Sequence, residues 1–490
     1  MAPLLPIVHR FEPKVDPGRI ADAQALAERL LEEQPGLAVN PALEPFVVRR
    51  LGADASLHLD DISGIPLVDR FHDVSFLEDR ARLRAGQGDF VATCTPRNPD
   101  FERYCEQQLG LGSVKWLHVP PQADPKAVAT ACWVDAEVRR RLTTGLRAGR
   151  YAYLHPYVGN QAVWALAVLL SQASGRAVRV VAPHASLAKA VNDKNWFADV
   201  ARRLLGAASV PKTYRAYNLA GLAEVVRYLA PSSRQVVIKI PDSAGGAGNV
   251  VVDTSETVER SPRRAKSELL RLIQPLRWDG GMPVMVSGWE ADILQAVSCQ
   301  LWIPPEPEQP PLIEAILEQV VERAVFYTGS CEADLPKEIR QEFIDKSWLL
   351  GFLFQRLGYV GRCSFDAIMV KEDARPGRIK LIECNGRWGG ASIPMTLVNR
   401  LFPAARTRYA SMQFSISGLE KLHFGDLLRH FTAELYDARS GKGHLILLCP
   451  NALRAASRVD VVVLGTDPGP SPKMAFTKYR SELERLAASA

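Results

Sequence analysis

Two apolar runs bearing the wrong side chains for a core constrain this chain most: Phe365-Asp366-Ala367-Ile368-Met369-Val370 and Lys380-Leu381-Ile382-Glu383-Cys384-Asn385-Gly386-Arg387. Both are rich in Ile, Val, Leu and Phe and read as strands. The charged segment from Lys371 to Arg378, with Pro376 and Gly377, joins them as the loop of a hairpin. Residues two apart on a strand share a face, so Glu383 and Asn385 point one way, with Asp366 opposite them on the partner strand. Cys384, between them, points to the other, core face. Two carboxylates and an amide oxygen at one spot are hard ligands of the kind that suit Mg²⁺. The alternative is a hairpin whose polar residues simply alternate into solvent.

Three upstream segments bear on that choice. Arg234 to Asn249, leading into Val250-Val251-Val252, reads as strand, glycine-rich loop, strand. The glycines Gly245, Gly246 and Gly248, with Ser243, let backbone N–H groups approach an anion. No helix opens after the loop, which excludes the dinucleotide fingerprint and the Gly-Lys-Ser/Thr phosphate loop. Lys239 stands on the strand feeding the tip, in a chain with 16 lysines against 44 arginines; its compact ammonium is a candidate phosphate partner. In the second segment, Asn192 is the expected N-cap of an amphipathic helix running to about Leu205. That places Lys194 at the end of a helix where a lysine is unfavourable, unless it is an ordinary solvated one. The third segment, Pro283 to Glu290, reads as a strand ending in a bend. Ser287, Trp289 and Glu290 there could serve a base and a ribose, or belong to an ordinary core strand.

Taken in order, these pieces resemble the ATP-grasp superfamily over about Val191 to Pro394. Glu383-Cys-Asn-Gly-Arg-Trp-Gly-Gly390 is the most specific part. The resemblance implies two antiparallel lobes that clasp ATP, with Mg²⁺ on the phosphates and Mn²⁺ as a substitute metal. It further implies transfer of the γ-phosphoryl to a substrate carboxylate and displacement of phosphate by a nucleophile, usually an amine. Carried over by position, Lys194 and Lys239 bind phosphates or the adenine region, and Ser243, Gly245, Gly246 and Gly248 close over the phosphates. Ser287, Trp289 and Glu290 fall at the nucleotide hinge, although family members often carry an acidic residue where Ser287 stands. Asp366, Glu383 and Asn385 hold the metal. Arg387 binds the substrate carboxylate and the oxyanion, by a fork that matches carboxylate geometry. Arg362, four residues before Asp366, is a second cation, or a surface arginine beside a turn.

The remaining chain is arranged around this core. Strands are expected at 88–94, 114–119, 151–156 and 177–182, with helices near 103–109 and 161–174; alternation of this kind predicts a parallel sheet. At Gly159-Asn160 a tight turn or a ligand contact is expected. Pro304 to Pro311 reads as a polyproline-like surface loop between a strand and the next helix. Later strands at 444–449 and 459–464 precede a charged terminal helix from about Ser471. The expected fold is therefore α/β, with a Rossmann-like pre-ATP-grasp domain at 1–188, an ATP-grasp domain at 189–412 and an extension at 413–490. This layout is similar to that of peptide ligases of the pheganomycin type, which implies amino-acid-like carboxylate and amine substrates in peptide natural-product biosynthesis. A thiol or hydroxyl acceptor, plain phosphate transfer, and a non-catalytic nucleotide-binding protein are the other readings.

At 490 residues, 47% of them hydrophobic, the chain has material for a buried core. A net charge of +6 is mild and gives no reason to expect a nucleic-acid partner. The eight cysteines lack Cys-x-x-Cys spacing and read as free thiols in a reducing, cytoplasmic setting. No apolar run reaches membrane-spanning length, and the first 20 residues, with four prolines, do not read as a signal peptide. Oligomeric state is left open.

Overall fold

The computed structural model of the protein describes residues 11–68, 73–120, 124, 126–255, 262–290, 292–322, 326–372, 375–404, 406–465 and 472–489. The first sheet has strands β1 (Ser56–Leu59), β2 (Phe90–Thr93), β3 (Lys115–His118), β4 (Tyr153–Pro156) and β5 (Arg179–Val180) in the order β3-β2-β1-β4-β5. Every pairing in it is parallel, as short strands alternating with helices require. β1 was not anticipated: Ser56-Leu-His-Leu has only two apolar residues in four, although all four are buried. Helix Gln161–Ser174 has the expected limits, capped by Asn160 and ended by a left-handed Gly175. Asn160 Nδ2 also donates to Asp61 Oδ1 at 2.7 Å, so the Gly159-Asn160 turn is a structural device. Near residue 103 the expected single helix is a short helix, Pro99–Arg103, followed by one π-helical turn.

A second sheet is antiparallel. Its strands are β6 (Thr213–Ala216), β7 (Gln235–Lys239), β8 (Asn249–Asp253) and β9 (Val284–Gly288), in the order β6-β9-β7-β8. The third sheet has eight strands: β10 (Ile293–Ile303), β11 (Leu312–Glu322), β12 (Phe326–Glu332), β13 (Gly361–Glu372), β14 (Arg375–Asn385), β15 (Tyr409–Ser415), β16 (Leu445–Leu448) and β17 (Arg458–Leu464). Their order is β14-β13-β10-β11-β12-β15-β17-β16. The chain passes from the second sheet to the third between β9 and β10, at the bend read from Trp289 and Glu290. The prolines 304–311 connect β10 to β11, two strands rather than a strand and a helix. They turn the hairpin while Gln355 Nε2 donates to the carbonyls of Pro304 and Gln309.

The third sheet separates two cores. On one face Cys299, Phe365, Ala367 and Leu381 pack with helix Lys337–Arg356 and with Leu26 and Leu30 of helix Pro17–Glu33. On the other face Trp302, Leu317, Trp388 and Tyr409 pack with residues of the first sheet's surroundings, such as Phe76 and Tyr157, and with β15 to β17. No helix among the described residues is long and apolar enough to cross a membrane. All eight cysteines are buried.

Candidate functional site

The β13–β14 hairpin differs from expectation at its tip. β13 and β14 run on to Glu372 and from Arg375, so Pro376 and Gly377 lie within a strand and not in a loop. β14 is an edge strand, where a proline removes no ladder bond that a neighbour needs. A register shift between Val370 and Glu372 accommodates the pair.

A second register shift, between Asp366 and Ala367, makes the site. Ile379 and Leu381 of β14 are in the core, and strict alternation would send residue 383 there too. The bulge leaves Ile382 without a partner and reverses the phase. Cys384 then takes the core position, while Glu383 and Asn385 turn to the face bearing Asp366. Asp366 pairs directly across from Glu383, and Ser364 from Asn385. Asp366 accepts from Ser298 Oγ at 2.6 Å and from Asn385 Nδ2 at 2.9 Å. Burial, and next the charge of Glu383, push the Asp366 carboxyl up to about 6. Burial also acts against the charge of Glu383, but Lys194, Lys239 and Arg387 outweigh it and hold its pKa below the usual value.

Lys194 starts helix Lys194–Leu205, but the cap is Asp193, whose carboxylate accepts from the N–H groups of Asn195 and Trp196. The expected cap, Asn192, ends the preceding helix Ala185–Asn192 and instead accepts from Gly386 N at 3.0 Å. A Cβ on Gly386 would meet Val191 Cγ2 at 2.3 Å, so a glycine there lets β14 leave the sheet against this helix. Lys194 is 3% exposed. Its Nζ lies 3.1 Å from Glu383 Oε2 and 3.3 Å from both Ser243 O and Ser243 Oγ, and its backbone N–H donates to Pro241 O at 3.0 Å. One lysine thus ties the glycine loop of the second sheet to the carboxylate of the third. Lys239, half-buried at the end of β7, has its pKa lowered to about 8, by burial first and by the Lys194 charge, against the pull of Glu383 and Asp366.

The loop between β7 and β8 contains Ser243, Gly245, Gly246 and Gly248. Gly245 and Gly246 have positive φ, and a Cβ on Gly248 would lie 2.2 Å from Ser243 Oγ. At the bend, Ser287 is buried in β9 between β6 and β7, Trp289 N donates to Gln235 O, and Glu290 pairs with Lys380 of β14 at 2.6 Å. Arg387, just past β14, is 9% exposed. It donates to Trp388 O at 3.2 Å and lies 5.9 Å from the Tyr157 ring centre; among the described residues no carboxylate pairs with it. Arg362 is buried rather than superficial. It forms an ion pair with Glu314 of β11 and lies over the rings of Trp302 and Trp388. Ser298, Arg80 and Tyr157 are site neighbours that the sequence reading missed; their partners are distant in sequence and no local motif marks them.

Two carboxylates, an amide, two lysines and a free-donor arginine therefore converge between two antiparallel sheets. The described residues contain no cluster of three or more His, Cys, Asp or Glu side chains arranged for a metal; this set has two carboxylates and one amide. Residues 78–172 match the family model of the pre ATP-grasp domain, and no curated protein matches the sequence. Among solved structures the chain is similar to an N5-carboxyaminoimidazole ribonucleotide synthetase in an ADP complex, at 13% identity over 89% of this chain and 98% of that one, with a TM-score of 0.52. It is similar to the Staphylococcus aureus N5-carboxyaminoimidazole synthetase complexed with ADP (9% identity, 90% and 100% covered, TM-score 0.51). It is also similar to the Aspergillus clavatus carboxyaminoimidazole ribonucleotide synthase complexed with ATP (11% identity, 89% and 99% covered, TM-score 0.51). The mixed α/β architecture, a parallel sheet followed by antiparallel sheets, is the ATP-grasp fold of these synthetases.

Proposed function

We propose that this chain is an ATP- and Mg²⁺-dependent ligase that joins a carboxylate to an amine, forming an amide or peptide bond. The observation that carries the reading is the convergence of Asp366, Glu383 and Asn385 with Lys194, Lys239 and Arg387 between the second and third sheets. The nucleotides in the similar synthetases support ATP as the co-substrate. Asp366, Glu383 and Asn385 suit Mg²⁺ by their oxygen donors, and the mutual repulsion of two facing carboxylates is what a dication relieves. When bound, Mg²⁺ neutralises phosphate charge.

The chain's own groups do the rest. Lys239 and Lys194 face the phosphates, and the 243–248 loop covers them. Ser287, Trp289 and Glu290 flank the base and ribose. Arg387 orients the substrate carboxylate, whose oxygen attacks the γ-phosphorus as ADP departs. The neutral amine then attacks the acyl carbon, the C–N bond forms, phosphate leaves with the C–O bond electrons, and the nitrogen gives up one proton to that phosphate. Arg387 stabilises the oxyanion in between. Arg362, paired with Glu314, holds Trp388 behind Arg387 as a positioning residue. Amino-acid-like substrates, peptide natural-product assembly, a cytoplasmic location and a division near residue 188 complete the proposal.

The test is ADP release from ATP and Mg²⁺ across a panel of the 20 amino acids and small acids, alone and with added amines. Turnover should need a carboxylate, and product should need an amine. Arg387→Ala should lower turnover by ~10²–10³, the usual loss for one oxyanion-stabilising donor, with ATP affinity within a few-fold. ATP hydrolysis indifferent to every carboxylate would sink the ligase reading. Loss of ATP affinity together with stability in Arg387→Ala would make Arg387 structural.

A further inference from the structure

Arg387 shares the Tyr157 ring with a second cationic centre that the proposed ligation does not use. Arg80 begins the short helix Arg80–Arg84 beside the first sheet, and its guanidinium carbon lies 4.3 Å from the centre of the Tyr157 ring. Arg387 lies on the same ring at 5.9 Å, so one tyrosine is shared by two buried guanidinium groups. Arg80 donates to Leu77 O at 2.8 Å and its Nε stands 3.6 Å from Asp60 Oδ2. Its Nη2 is buried without a hydrogen-bond partner. An orphaned buried guanidinium donor is costly, and a native fold keeps one where something else completes it.

The charges around it do not balance. Asp60 is paired with Arg84 as well as Arg80. Arg458, at the start of β17 and near enough for its charge to act on Arg80, is matched by Asp460, which accepts from its Nε and Nη2 at 2.6 and 2.7 Å. Three arginines against two aspartates leave one positive charge. Asp79, beside Arg80, accepts from both nitrogens of Asn451, and burial pushes its carboxyl up to about 7, so it supplies only a fraction of a charge near neutrality. Arg80, Arg458 and Asp460 retain 8–9% exposure, whereas Phe365 and Ala367 on the core face of the third sheet retain none. These three side chains keep a small contact with solvent.

We infer that Arg80, backed by Arg458 and Tyr157, binds the carboxylate of the second, amine-bearing substrate. A single unmatched positive charge fits a monoanionic carboxylate better than a phosphate dianion. With its carboxylate on Arg80 and Arg387 one aromatic ring away, an amino acid or peptide presents its amino group toward the acyl group that Arg387 orients. The subsite joins the first sheet's region to β17, which gives the last three strands a part in choosing the substrate. This inference rests on the ligase reading for the role of the bound molecule, but not for the binding of the anion.

The test uses the full-length protein and a panel of the 20 amino acids and their glycyl dipeptides, each as the free acid and as the C-terminal amide. Calorimetry reads binding, and ADP release with ATP and Mg²⁺ reads turnover. At least one free acid should bind ten-fold or more tightly than its amide. Arg80→Gln should erase that difference while ATP affinity holds, and Arg80→Lys, which keeps the charge beside Asp60, should restore part of it. Thermal melting of both variants checks that they fold; if Arg80→Gln does not, the comparison is made on Arg80→Lys and Arg458→Lys, of which at least one should weaken the acid and spare the amide. Equal binding of acid and amide, absence of binding by every acid, or an acid preference intact in the folded variants overturns the inference. Arg80-dependent binding of inorganic phosphate in place of any acid overturns the carboxylate assignment. Acids that bind through Arg80 while no carboxylate of the panel stimulates ADP release would leave the subsite standing and remove the ligase reading.

Discussion

Glu383 and Lys194 form the contact on which the site depends at the level of single residues. A strand face open to solvent would let Glu383→Gln abolish turnover at no cost in stability. The structure instead pairs Glu383 with a lysine that is almost fully buried, and removing the carboxylate leaves that ammonium poorly matched. Glu383→Gln should therefore lose turnover and also about 1–3 kcal/mol of stability, the cost of an uncompensated buried partner. Lys194→Met combined with Glu383→Gln should recover stability but not activity. Thermal and denaturant melts of the single and double variants check this; additive losses would show that the two side chains do not interact. Lys239 gives a pH signature. Its folded pKa of about 8 lies below the ordinary 10.5, so its contribution disfavours folding below pH 8, and that cost fades as pH rises towards 10.5. Phosphates favour the ammonium, so above pH 8 ATP binding should take up a proton and weaken between pH 7 and 9. Lys239→Arg should flatten the profile. Calorimetry at pH 9 in buffers of different ionisation heat measures the uptake, and a flat wild-type profile removes Lys239 from the phosphate site. Glu383 and Asn385 were legible in the sequence because strand periodicity puts them on one face, and Asp366 as the carboxylate of the partner strand; the bulge that sets Asp366 across from Glu383 was not. Arg80 was not, since its partners Asp60, Tyr157 and Arg458 come from remote segments and nothing local distinguishes one arginine among 44.

The loop between β7 and β8 and the bulges of β14 hold the information at the level of elements. Strand, glycine loop and strand were legible from composition and apolar runs. The bulges were not, because a run such as Lys380 to Asn385 does not reveal where its alternation changes phase. Had β14 stayed regular, Glu383 would face Phe365 and the core. The same limit explains the cap at Asp193: Asn192 and Asp193 are both good caps, and only the path of the preceding helix decides between them. The loop has its own test. Gly248→Ala sets a Cβ against Ser243 Oγ at 2.2 Å, closer than atoms approach, so the loop must move and Ser243 must leave Lys194. The KM for ATP should rise about ten-fold, on the order of the 1–2 kcal/mol of a lost charged hydrogen bond, with melting temperature lowered by only a few degrees. The 242–249 segment should also be cut by protease in the free protein and protected by a non-hydrolysable ATP analogue with Mg²⁺, as a closing lid requires. Equal cleavage in both states would show that the loop does not close over a nucleotide.

At the scale of the whole molecule the strands after residue 408 decide what a stable unit is. From sequence the strands at 444–449 and 459–464 read as an extension beginning at 413, since their partners are unknown, and β15 was not anticipated. In the fold, residue 413 lies inside β15, and β15, β17 and β16 continue the third sheet from β12. The register is long: seven paired positions join β15 to β17. Pairing of this kind is decided by surfaces far apart in the chain, so a boundary drawn from composition cannot find it. The apolar residues Val459, Val461, Val463, Leu445 and Leu447 belong to the same core as Trp388, Tyr157 and Phe76, which links the first sheet's region, the candidate site and the chain's last strands. Arg400 adds to the link by donating to the carbonyls of Leu83 and Ala85. A protein ending at residue 412 should therefore not behave as a trimmed enzyme. It would expose β12 as a bare edge able to pair with other copies and open the core beneath it, so it should aggregate or melt without a cooperative transition. Size-exclusion chromatography and thermal melting of residues 1–412 beside the full chain measure this. A monomer that melts cooperatively within a few degrees of the full-length protein would show that the last strands are an appendage, and would also remove the physical basis for Arg458 taking part in substrate choice.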